Sequence, residues 1–128
     1  MVDYGSYIRS DRWRSKHPEW LRRSRYRCSM FPWIVIGRDF GNYHPYRIHH
    51  THYKTLGKER LWLDVLPLSP VAHNWIIHGL LSGWRSPSQQ RHYPNAAQQL
   101  AHLWCRLPIL VKTAVFVAAA MGLGGLTG

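Results

Sequence analysis

The pattern of hydrophobic and polar positions in the middle of the chain predicts two strands. Residues 31–37 (FPWIVIG) are β-branched and aromatic and end in glycine, which favours a strand. Gly41-Asn42 then predicts a turn. Residues 46–50 (YRIHH) alternate between apolar and polar side chains, which predicts a second strand whose end carries two histidines. Another apolar stretch, residues 61–68, follows.

Two helices are predicted after these strands. Residues 71–81 (VAHNWIIHGLL) have a helical pattern, and the preceding Ser69-Pro70 supplies a candidate N-cap and a proline for the first position. Residues 82–95 have the composition of a loop, and Asn95 is a candidate cap for a further helix over 96–107. Short strands followed by helices indicate a small α+β fold.

The first 30 residues form a basic arm in which aromatic rings are interleaved. The whole chain has 17 Lys and Arg against six Asp and Glu, a formal charge of +11, so its expected partner is DNA or another polyanion. The arm supplies these candidate nucleic-acid-binding side chains: Arg12, Arg14, Lys16, Arg22, Arg23, Arg25 and Arg27. An equally open alternative is a solvated basic surface whose rings cover the core.

The C-terminal tail is apolar. Lys112 and Thr113 are the only polar side chains in residues 107–126. A membrane-spanning helix needs about 20 apolar residues, and this segment barely reaches that length. The tail is therefore predicted to be a helix buried on the domain or in a large assembly, with membrane contact through residues 107–126 as the alternative.

Size and cysteine content limit the remaining possibilities. At 128 residues and 15.0 kDa the chain has room for one domain with extensions. Cys28 and Cys105 are far apart in sequence, and the N-terminus lacks the charged and apolar regions of a secretory signal. We therefore expect two free thiols and a cytoplasmic protein, with membrane association through the tail as the alternative.

Residues 47–79 carry a series of motifs in a specific order. The run HHTHYKTLGKERLWLDVLPLSPVAHNWIIHG contains a His-His pair, Tyr53, Leu56-Gly57, Glu59 and a segment that begins at Asp64, and it ends in a helix with further histidines. In this order the residues resemble the HNH endonuclease family, in its His-His, Leu-Gly and Asp-Leu branch. The resemblance implies a small ββα-metal core with helical and irregular extensions. The resulting organisation is a basic arm over 1–30, the HNH-like core over 31–83, a loop and helix over 84–106, and the apolar tail over 107–128.

The resemblance also assigns roles to individual residues. His50 occupies the position of the general base that activates water, and Asp64 occupies the position that orients the base and its loop. His49 and His73 occupy metal-ligand positions. His78 is a candidate third ligand, but an offset of five residues turns its side chain about 140° from His73 on an ideal α-helix, so ligation would require a bulge. The alternative for His78 is a hydrogen bond near the helix end, with Asn74 as its partner.

The chain departs from the family in its cysteines. Many relatives bind a structural zinc through two Cys-x-x-Cys pairs, whereas this chain has Cys28 and Phe31 in place of the first pair and Ser69 and Ala72 in place of the second. No structural zinc is expected. An active enzyme would use one divalent metal, with magnesium, manganese, nickel and zinc all open. The alternative is a catalytically retired HNH-like domain that serves as a small structural subunit of a large ribonucleoprotein or membrane complex.

Overall fold

Short helices and two hairpins alternate along the chain. The computed structural model describes residues 3–39, 41–83 and 94–127, so most of the loop predicted over 82–95 lies outside the described residues. The elements are α1 (Tyr4–Tyr7), α2 (Asp11–Arg14), α3 (His17–Arg23), β1 (Gly37–Asp39), β2 (Asn42–His44), β3 (Arg47–His50), β4 (Val65–Leu68), α4 (Val71–Leu80), α5 (Ala96–Cys105) and α6 (Ile109–Thr127). The mixture of helices with two small antiparallel sheets makes this an α+β protein.

The first hairpin begins later than the sequence predicts. β1 and β2 pair in antiparallel register from Gly37 opposite His44, and Gly41 in their connection has a φ of 86°, which favours glycine. Of the strand predicted over 31–37 only the end pairs: Val35 forms an isolated antiparallel bridge with Arg27, and Gly37 begins β1. Pro32 lacks the N–H that a strand would need, and the Ile34 N–H bonds back to the carbonyl of Phe31 to make a turn.

The second hairpin confirms the strand predicted at 46–50. β3 pairs antiparallel with β4, so that His49 lies opposite Leu66 and His50 opposite Val65. All four residues of β4 are buried, which explains the continuous apolar stretch at the end of 61–68. The chain then passes through Ser69, whose Oγ accepts a hydrogen bond from the Ala72 N–H, into α4.

The helix predicted over 71–81 is present, but it is a π-helix. Its hydrogen bonds join residues five apart, as from the Leu81 N–H to the Ile76 carbonyl at 2.8 Å, and each turn therefore holds more residues than an α-helical turn. Gly79 helps to close this wide turn, because a Cβ atom there would lie 3.1 Å from the Asn74 carbonyl oxygen.

The basic arm is folded onto the domain. The buried rings of Tyr7, Trp13 and Trp20 form one core cluster with Leu61 and Val65. These rings are therefore used for packing, as in the alternative in which the arm covers the core. The residues after α3 then contribute to a second core cluster.

Cys28, Phe31, Ser69 and Ala72, which the resemblance places at cysteine positions of HNH proteins, are joined by hydrogen bonds and packing at this second cluster. The Cys28 Sγ accepts hydrogen bonds from the Phe31 N–H at 3.5 Å and from the Ser69 N–H at 3.3 Å. Cys28 and Ala72 are buried, and Phe31 packs against the same cluster. Hydrogen bonds between backbone and side chain, together with apolar packing, thus join two tetrapeptides that are 41 residues apart in sequence.

Two helices complete the fold. Asn95 caps α5 in a reciprocal capping box with Gln98, as its sequence predicts. α6 is held at its base by Lys112, a buried residue whose Nζ donates to the carbonyls of Ser29 and Cys105. Among the described residues, no single helix is long and apolar enough to cross a membrane. Helix α5 and residues 109–122 of α6 have sufficient length and apolar composition only when taken together, and their axes are bent by 112° relative to each other.

Candidate metal centre and histidine cavity

Three imidazoles from two elements form a candidate metal centre. His49 comes from the end of β3, and His73 and His78 come from α4. One nitrogen from each ring lies within 4.8 Å of the others. Zinc-to-nitrogen bonds of about 2.0–2.1 Å place bound nitrogens roughly 3–3.5 Å apart, so a small rotation of the rings would close the group on an ion.

The π-helix explains how His78 joins this group. On an α-helix the offset of five residues would turn His73 and His78 far apart, but five residues make about one turn of a helix with i to i+5 hydrogen bonds. Their ring centroids are 4.5 Å apart. Asn74 is predicted to bond to His78, but its Oδ1 contacts His73 instead: the His73 Nδ1 lies 2.8 Å from the Asn74 Oδ1.

The surroundings of these histidines favour their neutral, metal-binding form. Burial lowers the pKa of His49 well below its usual value, and the neighbouring His102 and His73 act in the same direction. Burial also lowers the pKa of His73 to about 4. Because the Asn74 Oδ1 can only accept, the His73 Nδ1 donates to it and its Nε2 keeps a lone pair. The donor set fits a divalent ion.

A fourth histidine, from α5, touches the group. The His102 Nε2 lies 2.9 Å from the His49 Nε2, and both side chains are buried. No role for His102 is predicted from the sequence. Its signal is helical spacing, because the buried residues Gln98, His102 and Cys105 recur on one face of α5. Since one of the two Nε2 atoms must donate, this contact selects the tautomers of His49 and His102.

His50 lies beside the centre in a cavity of about 410 Å³. The cavity is lined by both members of the His-His pair and by His73. The His50 ring stacks on Trp13 with a centroid distance of 4.7 Å and on Tyr53 at 5.2 Å. The structure therefore brings the predicted base and two predicted ligands to one cavity.

Glu59 orients His50. Its Oε2 accepts a hydrogen bond of 2.9 Å from the His50 Nε2, which leaves the His50 Nδ1 as the basic atom. The Glu59 Oε1 accepts hydrogen bonds from the Tyr7 hydroxyl, the Lys16 Nζ and the Gly57 N–H. Burial alone would raise the pKa of Glu59, but these bonds, led by the one from His50, lower it to about 2. The carboxylate is thus ionised and fully buried.

Asp64 lies in a different network from the one expected. Its buried carboxylate is 2.7 Å from the His52 Nε2 and accepts bonds from the Arg60 backbone and guanidinium. These bonds outweigh the effect of burial and lower its pKa. In the described part of the chain, the hydrogen bonds of Asp64 order the loop at 51–64, and the contact with His50 comes from Glu59. Glu59 belongs to the HNH-like series of motifs in the sequence, but no role is predicted for it there.

The predicted nucleic-acid-binding residues separate into three groups. Arg12 and Lys16 donate hydrogen bonds to the Gly57 carbonyl. Two exposed arginines lie near acidic neighbours on short helices, Arg14 beside Asp11 and Arg22 beside Glu19. The remaining three line a separate cavity at the base of α6: Arg23, Arg25 and Arg27.

Replacing Glu59 by Gln is expected to destabilise the fold. The substitution keeps the shape of the side chain but removes a buried negative charge that faces Lys16 and three other donors, and breaking such a buried pair costs about 3–5 kcal/mol. Urea unfolding at pH 7 would measure the loss. Glu19→Gln is the matched control, since Glu19 lies exposed on α3, and it should change stability by less than about 0.5 kcal/mol. Equal effects in the two variants would contradict this account of Glu59.

The arrangement combines a candidate metal centre with an oriented base. Comparison of the chain with protein families, with curated proteins and with solved structures finds no match. The residues of the histidine cavity therefore provide the evidence for a function. A neutral imidazole held by a carboxylate can accept a proton from water, and a group of three neutral imidazoles can hold a Lewis acid next to it.

Proposed function

We propose that the chain is an HNH-like metal-dependent endonuclease that hydrolyses phosphodiester bonds in DNA. The observation that carries the proposal is the shared cavity: His50, backed by Glu59, lines it together with His49 and His73 of the candidate metal centre. A base that activates water and a Lewis acid that binds the phosphate oxygens, both next to one bound substrate, can hydrolyse a phosphodiester.

Two features of the fold support the family assignment. The order β3, β4, α4 is the strand, strand, helix order of a ββα unit, and its histidines lie at the end of the first strand and on the helix. Independently, Cys28 and Ala72 are buried in one core cluster against which Phe31 packs, and the Ser69 N–H donates to the Cys28 Sγ, as expected if these positions descend from a structural zinc site. A chance resemblance in sequence gives no reason for these four positions to meet.

The proposed chemistry assigns distinct tasks to the cavity residues. The His50 Nδ1 takes a proton from the attacking water, while Glu59 fixes the ring and stabilises the imidazolium that results. His49, His73 and His78 would hold the ion, which supplies Lewis acid stabilisation of the phosphate charge. Arg47 also lines the cavity, with an exposed side chain that can bind a phosphate oxygen.

The donor set indicates which metals should work. Imidazole nitrogens suit zinc, nickel and copper, whereas magnesium and manganese prefer carboxylate and water oxygens. Of the metals left open by the sequence, nickel and zinc are therefore the proposed cofactors. Magnesium is expected to support the reaction weakly.

Nicking of supercoiled plasmid tests this function. Wild-type protein is supplied in turn with nickel, zinc, manganese or magnesium, and it is expected to convert supercoiled DNA to open circles fastest with nickel or zinc and only slowly with magnesium, with an EDTA-treated sample inactive. His50→Ala should reduce the rate by about 10²- to 10⁴-fold, since it removes the general base. His44→Ala is the matched control, because His44 lies on β2 and is not among the residues that line the cavity.

The possible outcomes separate the proposal from its alternative. If wild type nicks DNA, and EDTA and His50→Ala abolish nicking while His44→Ala retains it, the nuclease function stands. If no metal supports nicking by wild type although the protein binds nickel or zinc, the proposed hydrolysis is refuted. The remaining candidate is then the retired HNH-like domain that acts as a structural subunit.

A further inference from the structure

A second cavity, of about 380 Å³, shares no lining residue with the histidine cavity. It lies between the turn that follows α3 and the start of α6. Its lining includes Arg23, Arg25, Arg27 and Arg106, and none of its lining residues in the described part of the chain is acidic. Four arginines among the lining residues, without an acidic residue beside them, produce a positive potential that attracts an anion. The Arg106 guanidinium already donates to the carbonyls of Trp62 and Leu63.

Ser29 adds an independent sign of a ligand. This residue also lines the cavity and is only 2% exposed. Its Oγ has no hydrogen-bond partner among the described residues. Buried hydroxyl groups are normally satisfied, so after a change of its side-chain rotamer the Ser29 Oγ would complete its hydrogen bonding with an oxygen-rich ligand in the cavity. A phosphate group has both the charge and the acceptors that Ser29 and the arginines require.

The remaining wall of the cavity is apolar and continues along α6. Leu107, Pro108, Ile109 and Leu110 line the opening, and Leu110 is 79% exposed. Farther along the helix Val115, Val117 and Met121 are also exposed, with Met121 at 72%. Apolar surface of this extent next to a cationic pocket indicates a ligand that has a phosphate and hydrocarbon in the same molecule.

We propose that this surface binds the interface of a bilayer that contains anionic phospholipids. A headgroup phosphate enters the cavity between Arg23, Arg25 and Arg27, and α6 lies with its apolar surface among the upper parts of the acyl chains. A nucleic-acid phosphate would also satisfy the arginines, but it would leave Leu110 and the rest of α6 in water. The bilayer uses both halves of the surface, and this site is separate from the proposed nuclease cavity.

Co-sedimentation of the full chain with lipid vesicles tests the proposal. The protein is expected to sediment with vesicles of phosphatidylcholine that contain phosphatidylglycerol, and to stay in solution with phosphatidylcholine alone. Arg23→Gln with Arg25→Gln should weaken binding by roughly 30-fold, because each basic residue near an anionic surface contributes about fivefold. Both side chains are exposed, so the fold should be retained. Arg14→Gln with Arg22→Gln removes the same charge outside the cavity and should weaken binding by much less.

A second variant tests the apolar half of the surface. Leu110→Gln with Met121→Gln should reduce sedimentation with the anionic vesicles without changing the circular dichroism of the protein. Equal losses in the two arginine pairs, or equal binding to neutral vesicles, would overturn the proposal because no specific headgroup site would then be needed. It would also be overturned if inorganic phosphate or a short DNA duplex bound in a manner sensitive to Arg23 and Arg25 while no vesicle did. Plasmid nicking is a separate readout, so the nuclease function and this proposal can fail independently.

Discussion

Replacing Phe31, Ser69 and Ala72 by cysteine is expected to create a zinc site with Cys28. The backbone already has the required hydrogen bonds, since the Phe31 and Ser69 N–H groups point to the Cys28 Sγ at 3.5 and 3.3 Å. Four thiolates bind zinc tightly in tetrahedral geometry, and a nanomolar site in about 10 µM free zinc would add about 5 kcal/mol to the stability of the folded state. This corresponds to a rise in Tm on the order of 15–20 °C above the metal-free variant.

Thermal unfolding with and without zinc, together with the absorption of the cobalt-loaded variant, would measure this effect. Without metal the variant should be less stable than wild type, because Phe31 loses its ring contacts with Trp33 and Phe116. The matched control carries only Phe31→Cys and Ser69→Cys, so that one ligand is missing, and it should bind cobalt more weakly and without the tetrathiolate spectrum of the full variant. If the full variant gains no stability from zinc, the four positions do not form a remnant of a zinc site.

Acid is expected to destabilise the metal-free protein in two stages. The first stage depends on His17, whose pKa is lowered to about 4 by burial and by the neighbouring His50. The unfolded chain, with a histidine pKa near 6.5, binds more protons than the folded chain between these values, so stability falls as the pH drops from about 6.5 to 4. His73 and His102, whose pKa values burial also lowers, act in the same window.

The second stage depends on Glu59. Its folded pKa of about 2 lies below the usual value of 4.5, so its contribution is present above pH 4.5 and is lost as the pH falls toward 2. Protonation removes stability at both stages, and a typical domain has only about 5–15 kcal/mol to lose. We therefore expect the protein to unfold before the second stage is complete.

Urea unfolding at a series of pH values, in the presence of EDTA, would measure both stages. His17→Gln should reduce the slope between pH 6.5 and 4, and Glu59→Gln should reduce the slope below pH 4.5. His44→Gln, on β2 and outside these contacts, should leave the profile unchanged. A profile that is flat between pH 6.5 and 4 for the wild type would show that the buried histidines are charged in the folded protein.

The sequence predicts local structure well where one interaction dominates. The capping signal at Asn95 and the alternation at 46–50 were sufficient to locate α5 and β3, because both depend on neighbouring residues. The strand predicted at 31–37 failed for the opposite reason. Ile36 is fully buried, but it is held there by contacts with distant parts of the chain, and an apolar run does not reveal whether its residues pair in a sheet or pack from a turn.

The candidate site was only partly predictable. The resemblance identified His49, His50, His73 and His78, and the structure brings these residues together around two connected sets of contacts. It did not identify Glu59 as the partner of His50, or His102 as the partner of His49. The contact between His49 and His102 joins residues 53 apart in sequence, and only the packing of α5 against the hairpin determines it. Long-range contacts of this kind leave no local pattern in a single sequence.

The π-helix gives α4 a dependence on chain length that an ordinary helix lacks. His73 and His78 share a face because one extra residue lies between them and the hydrogen bonding has widened to accommodate it. Deleting that extra residue would let the segment return to α-helical hydrogen bonding, and histidines four apart would again share a face. Insertion of one residue and a change of helix type therefore compensate each other. The position of the imidazoles can therefore stay the same in two chains whose lengths differ here by one residue, and a search that requires a fixed spacing between the histidines would miss one of the two.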